Sequence, residues 1–271
     1  MQPLTIGADP EFFVRKGRHF VSGHIFECGT KDQPMRTPHG SVQVDGIALE
    51  CNVRPSLTKQ GFMMNVKGVV NDLREVVKKV DPAYDLVARP SIFMGRKKLE
   101  GLPVVNGRPA GELGCTPDFN AYTRSQLPTP NSASPIRTGA GHIHLGWTTI
   151  TNPRNKAHFD ECCSLVKELD YYLGLPSLLW DNDQRRRSLY GQAGSFRPKP
   201  YGLEYRVLSN KWLETQGLIG YVFEQTTKAF HKWRSNIRLV PWYGDMAREY
   251  INAGKVNWRT ETPGLAKELL S

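Results

Sequence analysis

The sequence predicts an α+β fold, because segments with the two-residue alternation of strands and segments with helical periodicity both recur along the chain. The chain has 271 residues, 39% of them hydrophobic, including six Trp, ten Tyr and eleven Phe. That length and composition can bury a sizeable core. Loops rich in Pro, Gly and Ser occur inside the chain rather than at one linker, so we expect a single domain over residues 1–271.

Four segments alternate as strands with one polar face. Residues two positions apart on a strand point to the same side of a sheet. The polar pairs are Asp9 and Glu11 in GADPEFFV, Glu50 and Asn52 in IALECNV, His142 and His144 in GHIHLG, and Glu204 and Arg206 in GLEYRVL. Apolar residues occupy most of the alternate positions, so the opposite face of each strand is expected to pack on the core.

The helices follow from apolar residues repeated at three and four positions. The predicted helices are one around residues 66–80, a second at about Asn155–Leu173 after the start signal Thr151-Asn152-Pro153, a third at about Trp212–Trp233, and short ones near Asp245–Ala253 and Gly264–Leu270. Their Met and aromatic residues are assigned to packing.

The polar strand faces have an unusual composition. Any one of them would fit a solvated sheet surface, which usually carries Lys, Thr, Ser and Gln. Together they carry three Glu, one Asp, two His and one Arg. Crowded carboxylates repel each other unless a cation neutralises them, and oxygen ligands favour Mg²⁺, with Mn²⁺ also possible beside His. Asp45 joins this face only if Gly46 makes a bulge.

A basic segment precedes the last of these strands. Its cations are Arg185, Arg186, Arg187, Arg197 and Lys199. Arg offers a planar fork of donors to phosphate oxygens, and Pro198 and Pro200 stiffen the segment, so phosphate binding is favoured over a solvated basic loop. The proline-rich stretch Gln126–Gly141 is interpreted either as a loop near the site or as a plain surface connection.

The overall charge narrows the class of partner only partly. A net charge of +10 suits an anionic partner. The chain has no motif typical of nucleic-acid-binding domains, and its basic runs are limited to Arg185-Arg186-Arg187 and Arg96-Lys97-Lys98. It has no apolar run long enough for a membrane span and no secretory signal pattern, which predicts a soluble cytoplasmic protein. Five cysteines without zinc-site spacing are expected to be reduced.

These motifs resemble those of glutamine synthetase-like enzymes. DPEFF is similar to their acidic first strand, GHIHLG to their His pair and GLEYRV to their closing Glu-x-Arg strand. The segments LGCTPDFNA and LYGQAGSFRPKPYGLEYR resemble those of the phage-type carboxylate–amine ligases, type 2, which belong to a superfamily shared with γ-glutamylcysteine ligases. The resemblance runs from Gly7 to about Leu213 and would place the protein in a host cytoplasm if a phage encodes it.

The resemblance implies a curved antiparallel sheet with helices on its convex face and an ATP-dependent ligase activity on its concave face. By position, the implied metal ligands are Asp9, Glu11, Glu50, His142 and Glu204. The implied phosphate ligands are Arg197 and Arg206, to which the basic segment adds Arg185, Arg187 and Lys199. His144 would contact the nucleotide or the reacting carboxylate, and Glu204 or Asp118 would take a proton from the amine.

Two departures limit what the resemblance implies. Asp9 stands where glutamine synthetases have Glu, and the chain is too short for their N-terminal domain and ring contacts, so neither a dodecamer nor glutamate and ammonia as substrates are implied. The substrates are expected to be a small molecule or peptide with a free carboxylate and an amine acceptor. The alternatives from other classes are a basic nucleic-acid-binding protein and a metal-dependent hydrolase of peptides or phosphodiesters.

Overall fold

A computed structural model describes residues 2–95, 118–128 and 134–257, with short pieces at 99, 101–102, 104–105, 108–109 and 264–265. The strands are β1 (Thr5–Lys16), β2 (His19–Val21), β3 (Met35–Thr37), β4 (Gly40–Asp45), β5 (Ala48–Ser56), β6 (Tyr84–Val87), β7 (Ser91–Phe93), β8 (Val104–Val105), β9 (Arg108–Pro109), β10 (Phe119–Asn120), β11 (Ile136–Thr138), β12 (Gly141–Gly146), β13 (Ser195–Lys199) and β14 (Gly202–Tyr205).

One large sheet organises the molecule. Ten strands form it in the order β10-β13-β14-β12-β1-β5-β4-β3, with β2 and β6 also paired to β1. Every strand pair found among the described residues is antiparallel. The four strands predicted to carry polar faces are therefore neighbours, because β5, β1, β12 and β14 follow one another across the sheet.

Four of the seven α-helices found among the described residues were predicted from the sequence periodicity, with differences at their ends. They are α1 (Lys59–Val80), α2 (Lys156–Leu169), α3 (Leu175–Ser177), α4 (Gln184–Leu189), α5 (Gln216–Arg234), α6 (Val240–Tyr243) and α7 (Met246–Ala253). The predicted helix at Asn155–Leu173 changes at Asp170 into a π-helical turn, Asp170–Gly174. The third predicted helix starts later than expected, because Asn210–Glu214 forms a separate 3₁₀ turn. Residues 266–270 of the last predicted helix lie outside the described residues.

The helices pack on one face of the sheet, so its two faces differ sharply. Alternate strand residues such as Phe12, Leu49 and Ile143 share a buried cluster with Phe62 and Val66 of α1. The residues between them in sequence, including Glu11, Glu50 and His142, point away from that cluster. The α+β fold class, with a large antiparallel sheet and helices, is thus confirmed. The single domain stays a prediction.

Two further sequence expectations concern composition. Cys28, Cys51, Cys162 and Cys163 are free and buried, in agreement with reduced core residues, whereas Cys115 lies outside the described part of the chain. Within the part that the structure describes, no helix combines the length and the hydropathy needed to span a bilayer.

Candidate active site

A stripe of polar side chains crosses five strands on the face opposite the helices. Strand register aligns its members: Glu50 of β5 lies opposite Glu11 of β1, Asp9 of β1 opposite His142 of β12, and Glu204 of β14 opposite both His144 of β12 and Arg197 of β13. We call these seven residues the polar stripe. The parity argument made from the sequence therefore holds for all four strands, since antiparallel pairing brings their polar faces together.

The β5 end of the polar stripe is acidic. Burial and the nearby carboxylate of Asp45 raise the pKa of Glu11 to about 8, although Glu11 Oε2 accepts a hydrogen bond of 2.8 Å from the Ala140 backbone. Burial and the charges of Asp9, Asp45 and Glu11 raise the pKa of Glu50 well above its usual value. Burial also raises the pKa of Asp45. These carboxylates are electrostatically strained as a group.

Asp45 reaches this group by a hairpin, and the predicted condition of a bulge at Gly46 is not needed. Strands β4 and β5 pair Asp45 with Ala48, which leaves Gly46 and Ile47 as a two-residue turn. Gly46 has a φ of +57°, which glycine adopts without steric cost. Paired residues point to the same side of a sheet, and Ala48 shares its side with Glu50, so Asp45 faces the stripe.

Two histidines flank Asp9 in the middle of the stripe. Asp9 Oδ1 lies 3.1 Å from His142 Nδ1, and Asp9 Oδ2 lies 3.1 Å from His144 Nε2. Burial disfavours its charge, but the two imidazoles hold the pKa of Asp9 well below its usual range. Burial and the Arg206 guanidinium lower the pKa of His142. Burial opposes the charge on His144, but Asp9 outweighs it and raises the pKa of His144.

The donor set of this region fits a divalent cation. Asp9, His144 and Glu204 each offer a ligand atom, and these atoms lie within 4.8 Å of one another. The ring nitrogen Nε2 of His142 is buried without a hydrogen-bond partner, which is costly in a protein interior. Adjacent carboxylates with raised pKa values would also be relieved by a cation. Oxygen ligands with an imidazole suit Mg²⁺ or Mn²⁺.

The β13 end of the stripe is basic and internally paired. Glu204 is fully buried and contacts Lys199 Nζ at 2.7 Å, Arg197 Nη1 at 3.3 Å and the Arg206 guanidinium. Asp118 Oδ1 accepts a hydrogen bond from Arg197 Nη2 at 3.0 Å and lies 2.8 Å from Arg206 Nε in an ion pair. Three cations thus converge on two carboxylates, which is a geometry that a phosphate group could enter by exchanging ion-pair partners.

The structure brings Arg197, Lys199, Arg206 and Asp118 together as the sequence predicted, but it directs the Arg185–Arg187 run elsewhere. Arg186 is fully buried and donates to the carbonyls of Val207 and Leu208, each at 2.7 Å. Arg187 is buried against Asp181. Arg185 is exposed on α4. A helix turns consecutive residues in different directions, so one run cannot aim three cations at one ligand. Phosphate binding by Arg185 and Arg187 stays a prediction.

Several residues at the site were missed from the sequence. The Tyr201 hydroxyl hydrogen-bonds His144 Nδ1, and Gln43 donates to Glu50 Oε2 at 2.8 Å. Tyr190 lies under the Arg206 guanidinium, 5.2 Å from ring centroid to Cζ, and beside His142. Strand alternation in SVQVD would have placed Gln43 with Asp45. Tyr190 and Tyr201 lie in turns, where periodicity gives no signal.

The proline-rich stretch Gln126–Gly141 contributes to the site at its end. Residues 136–138 form β11, and Ala140 then donates its backbone N–H to Glu11. Residues 129–133 lie outside the described residues. The end of the stretch is therefore adjacent to the site, through the hydrogen bond from Ala140 to Glu11.

Comparison with known proteins bears on the family. Residues 134–239 match the family model described as phage phiEco32-like COOH.NH2 ligase-type 2. The comparison with curated proteins finds no match. A solved structure described as a novel glutamine synthase homolog aligns over 98% of this chain and 62% of that chain, at 11% identity and a TM-score of 0.45. The chain thus spans less than two thirds of that protein's length.

The predicted resemblance to the carboxylate–amine ligase family is confirmed over residues 134–239, and the description of that family names a ligase. The matched segment contains both histidines of the stripe and its basic end. Asp9, Glu11 and Glu50 lie N-terminal to the match, so the match does not bear on their assignment.

Proposed function

We propose that this chain is an ATP-dependent carboxylate–amine ligase that requires Mg²⁺ or Mn²⁺ and forms an amide or peptide bond through an acyl-phosphate. One observation carries the proposal: the polar stripe has carboxylates at one end and imidazoles in the middle, and the cations Arg197, Lys199 and Arg206 converge at its other end. A nucleotide triphosphate with its bound cation has the complementary arrangement of charge.

The acidic end and the centre are proposed to hold the cation. Asp9, Glu11, Glu50, His142 and Glu204 are the proposed ligands, and Asp45 adds negative charge beside Glu11. A bound cation would supply charge neutralisation for phosphate oxygens. His142 fits this role because its lowered pKa favours the neutral imidazole and its Nε2 atom lacks a protein partner.

The basic end is proposed to hold the transferring phosphoryl group. Its cations are the guanidinium groups of Arg197 and Arg206 and the ammonium group of Lys199. These groups form ion pairs with Glu204 and Asp118. Electrostatic stabilisation of charge on the phosphoryl group is the main catalytic device in such transfers. The substrate carboxylate attacks the γ-phosphorus, ADP leaves, and the amine then displaces phosphate from the acyl-phosphate. His144, beside Tyr201, is proposed to contact the nucleotide or the reacting carboxylate.

Asp118 and Glu204 are proposed as acceptors of the amine proton. Both carboxylates are ion-paired to guanidinium groups at the basic end of the site. An ionised carboxylate can accept a proton from an ammonium that loses it on attack. The substrates proposed are a small molecule or peptide carboxylate and an amine acceptor.

The test is ADP release measured across pairs of amino acids and short peptides, with Mg²⁺ and with Mg²⁺ replaced by EDTA. The proposal expects one or more pairs to stimulate ADP and phosphate release in equal amounts, with a new amide found by mass spectrometry. Product formation without nucleotide would instead indicate a metal-dependent hydrolase. Salt-sensitive DNA binding with no nucleotide turnover would indicate a nucleic-acid-binding protein.

A further inference from the structure

A buried carboxylate on the opposite face of the sheet contacts the strands that carry the basic end of the stripe. Asp170 is fully buried at the start of the π-helical turn that follows α2. Its Oδ1 accepts from the Tyr205 hydroxyl at 2.7 Å, and its Oδ2 accepts from the Tyr122 hydroxyl at 2.9 Å. The backbone N–H of Gly194 also donates to it.

These three donors belong to the three segments that hold the basic cluster. Tyr205 lies between Glu204 and Arg206 in sequence. Tyr122 follows Asp118 in the turn after β10, and Gly194 precedes Arg197 at the start of β13. On the stripe face, Asp118 joins Arg197 and Arg206 from the same segments. One carboxylate on each face therefore ties the same three pieces of chain together.

The contacts around Gly194 show how closely these segments are held. Gly194 has a φ of +78°, and a Cβ there would lie 2.6 Å from the Tyr122 ring. The Ala121 backbone N–H donates to the Gly194 carbonyl at 2.9 Å, and the Asn120 side chain donates to the Ala193 carbonyl at 2.9 Å. The position of Tyr122 thus depends directly on Gly194, and both are bound to Asp170.

Asp170 lies where α2 changes into a π-helical turn. A regular α-helix would continue the α2 hydrogen bonds past Leu169, whereas the wider turn shifts the residues that follow it. Glu168, two residues earlier on α2, is buried too, but it accepts from the backbone N–H groups of Leu239 at 2.8 Å and Val240 at 3.2 Å. Among the described residues, the hydrogen bonds of Glu168 therefore tie α2 to the start of α6 rather than to the segments of the site.

We propose that Asp170 is a positioning residue that fixes the spacing of Asp118, Arg197 and Arg206 from behind the sheet through Tyr122, Gly194 and Tyr205. Its effect on catalysis rests on the proposed ligase function, because those three side chains are the proposed phosphoryl and proton-transfer groups. A displacement of such catalytic groups by about 1 Å can lower the rate about a hundredfold.

Substitution Asp170→Asn tests the inference. The amide has one carbonyl oxygen for three donors, so at least one of them loses its acceptor. The matched control is Glu168→Gln, which removes charge from an equally buried carboxylate on the same helix. Tyr122→Phe is the milder variant, since it removes one hydroxyl and leaves the carboxylate in place; it decides the question if Asp170→Asn does not fold.

The first readout is backbone hydrogen exchange in the metal-free protein. We expect Asp170→Asn and Tyr122→Phe to speed exchange at Ala121 and Arg206 by at least about tenfold. Glu168→Gln should leave those amides unchanged and speed exchange at Leu239 and Val240. Equal exchange at Ala121 and Arg206 in wild type and in the folded variants would overturn the inference, as would an equal increase in the control.

The second readout is the dissociation constant of ATP measured with excess Mg²⁺. We expect about tenfold weaker binding in Asp170→Asn and a smaller loss in Tyr122→Phe, with Glu168→Gln binding as wild type does. If wild type binds ATP and the folded Asp170→Asn variant binds it equally well, Asp170 is a stability residue only. If wild type itself binds no ATP, the ligase proposal fails while the exchange experiment still decides whether Asp170 holds these segments.

Discussion

Binding of Mg²⁺ or Mn²⁺ should expel a proton from Glu11. In the metal-free protein, burial and the charge of Asp45 raise the pKa of Glu11 to about 8, so this carboxyl group is mostly protonated at neutral pH. A carboxylate must be ionised to bind a metal ion. Metal binding at pH 7 therefore has to release the proton to the buffer, and affinity should rise as the pH increases toward 8.

The expected amount follows from the pKa. A group with a pKa of about 8 is about 0.9 protonated at pH 7 and about 0.1 protonated at pH 9. Glu50, whose pKa is also raised by burial and neighbouring carboxylates, adds to this. We thus expect release of at least about 0.9 protons per metal ion at pH 7, and a smaller release at pH 9.

The same shift affects the metal-free fold. Between the ordinary Glu pKa of 4.5 and about 8, the folded state holds a proton on Glu11 that the unfolded chain has lost. The free energy of unfolding should therefore fall as pH rises through this window. Saturating Mn²⁺ should restore part of the lost free energy of unfolding, because it binds the folded state.

Isothermal titration calorimetry with Mn²⁺ in buffers of different ionisation enthalpy measures the proton release directly. Glu11→Gln should lower the release by about 0.9 protons at pH 7, provided that the remaining ligands still bind Mn²⁺. Glu168→Gln, which changes a buried carboxyl group away from the stripe, should leave it unchanged. Metal binding with no buffer dependence at pH 7 would refute the reasoning about Glu11.

Four more outcomes are expected. ATP should bind only with Mg²⁺ or Mn²⁺ present, so an excess of EDTA should abolish binding in a filter assay. Arg206→Lys should raise the barrier to turnover by about 2–4 kcal/mol with little change in ATP affinity, because Lys keeps the charge and loses the planar set of guanidinium donors. A lower melting temperature with unchanged kcat would instead show that Arg206 has only a structural role. Glu204→Gln should lower turnover by at least about a hundredfold while the far-ultraviolet circular dichroism stays unchanged. Gly194→Ala should lower the free energy of unfolding by about 2 kcal/mol or more in urea titration, since the new methyl group meets the Tyr122 ring at a positive φ.

The sequence predicted the stripe because strand parity is a local property. Residues such as Asp9 and Glu11, or His142 and His144, are two apart, so their shared face is set before any tertiary contact forms. The antiparallel order then joins those faces across β5, β1, β12 and β14. Helical periodicity is also a local property. It predicted most of the ends of α1, α2, α5 and α7 to within a few residues.

Other features depend on geometry that no local pattern contains. Asp45 enters the site through the pairing of β4 with β5, and the Asp-Gly turn was interpreted as a bulge rather than a hairpin. The side of α4 on which each arginine of the Arg185–Arg187 run lies depends on how that helix packs. Asp170 occupies the position at which α2 becomes π-helical, where the apolar stripe continues to Leu173 and no sequence signal marks the change.

Glu204 explains why acidic and basic groups can share one buried site without a ligand. One of its oxygens lies within 4.8 Å of the ligand atoms of Asp9 and His144, and its carboxylate also neutralises Lys199, Arg197 and Arg206. A cation that binds Glu204 would free the three basic side chains for a phosphate, and a phosphate that binds those side chains would free Glu204 for a cation. Each ligand therefore favours the binding of the other. Removing the Glu204 charge should therefore weaken Mn²⁺ binding and strengthen metal-free binding of inorganic triphosphate, two changes of opposite sign. A purely structural Glu204 would weaken both together, because its loss would loosen the whole cluster.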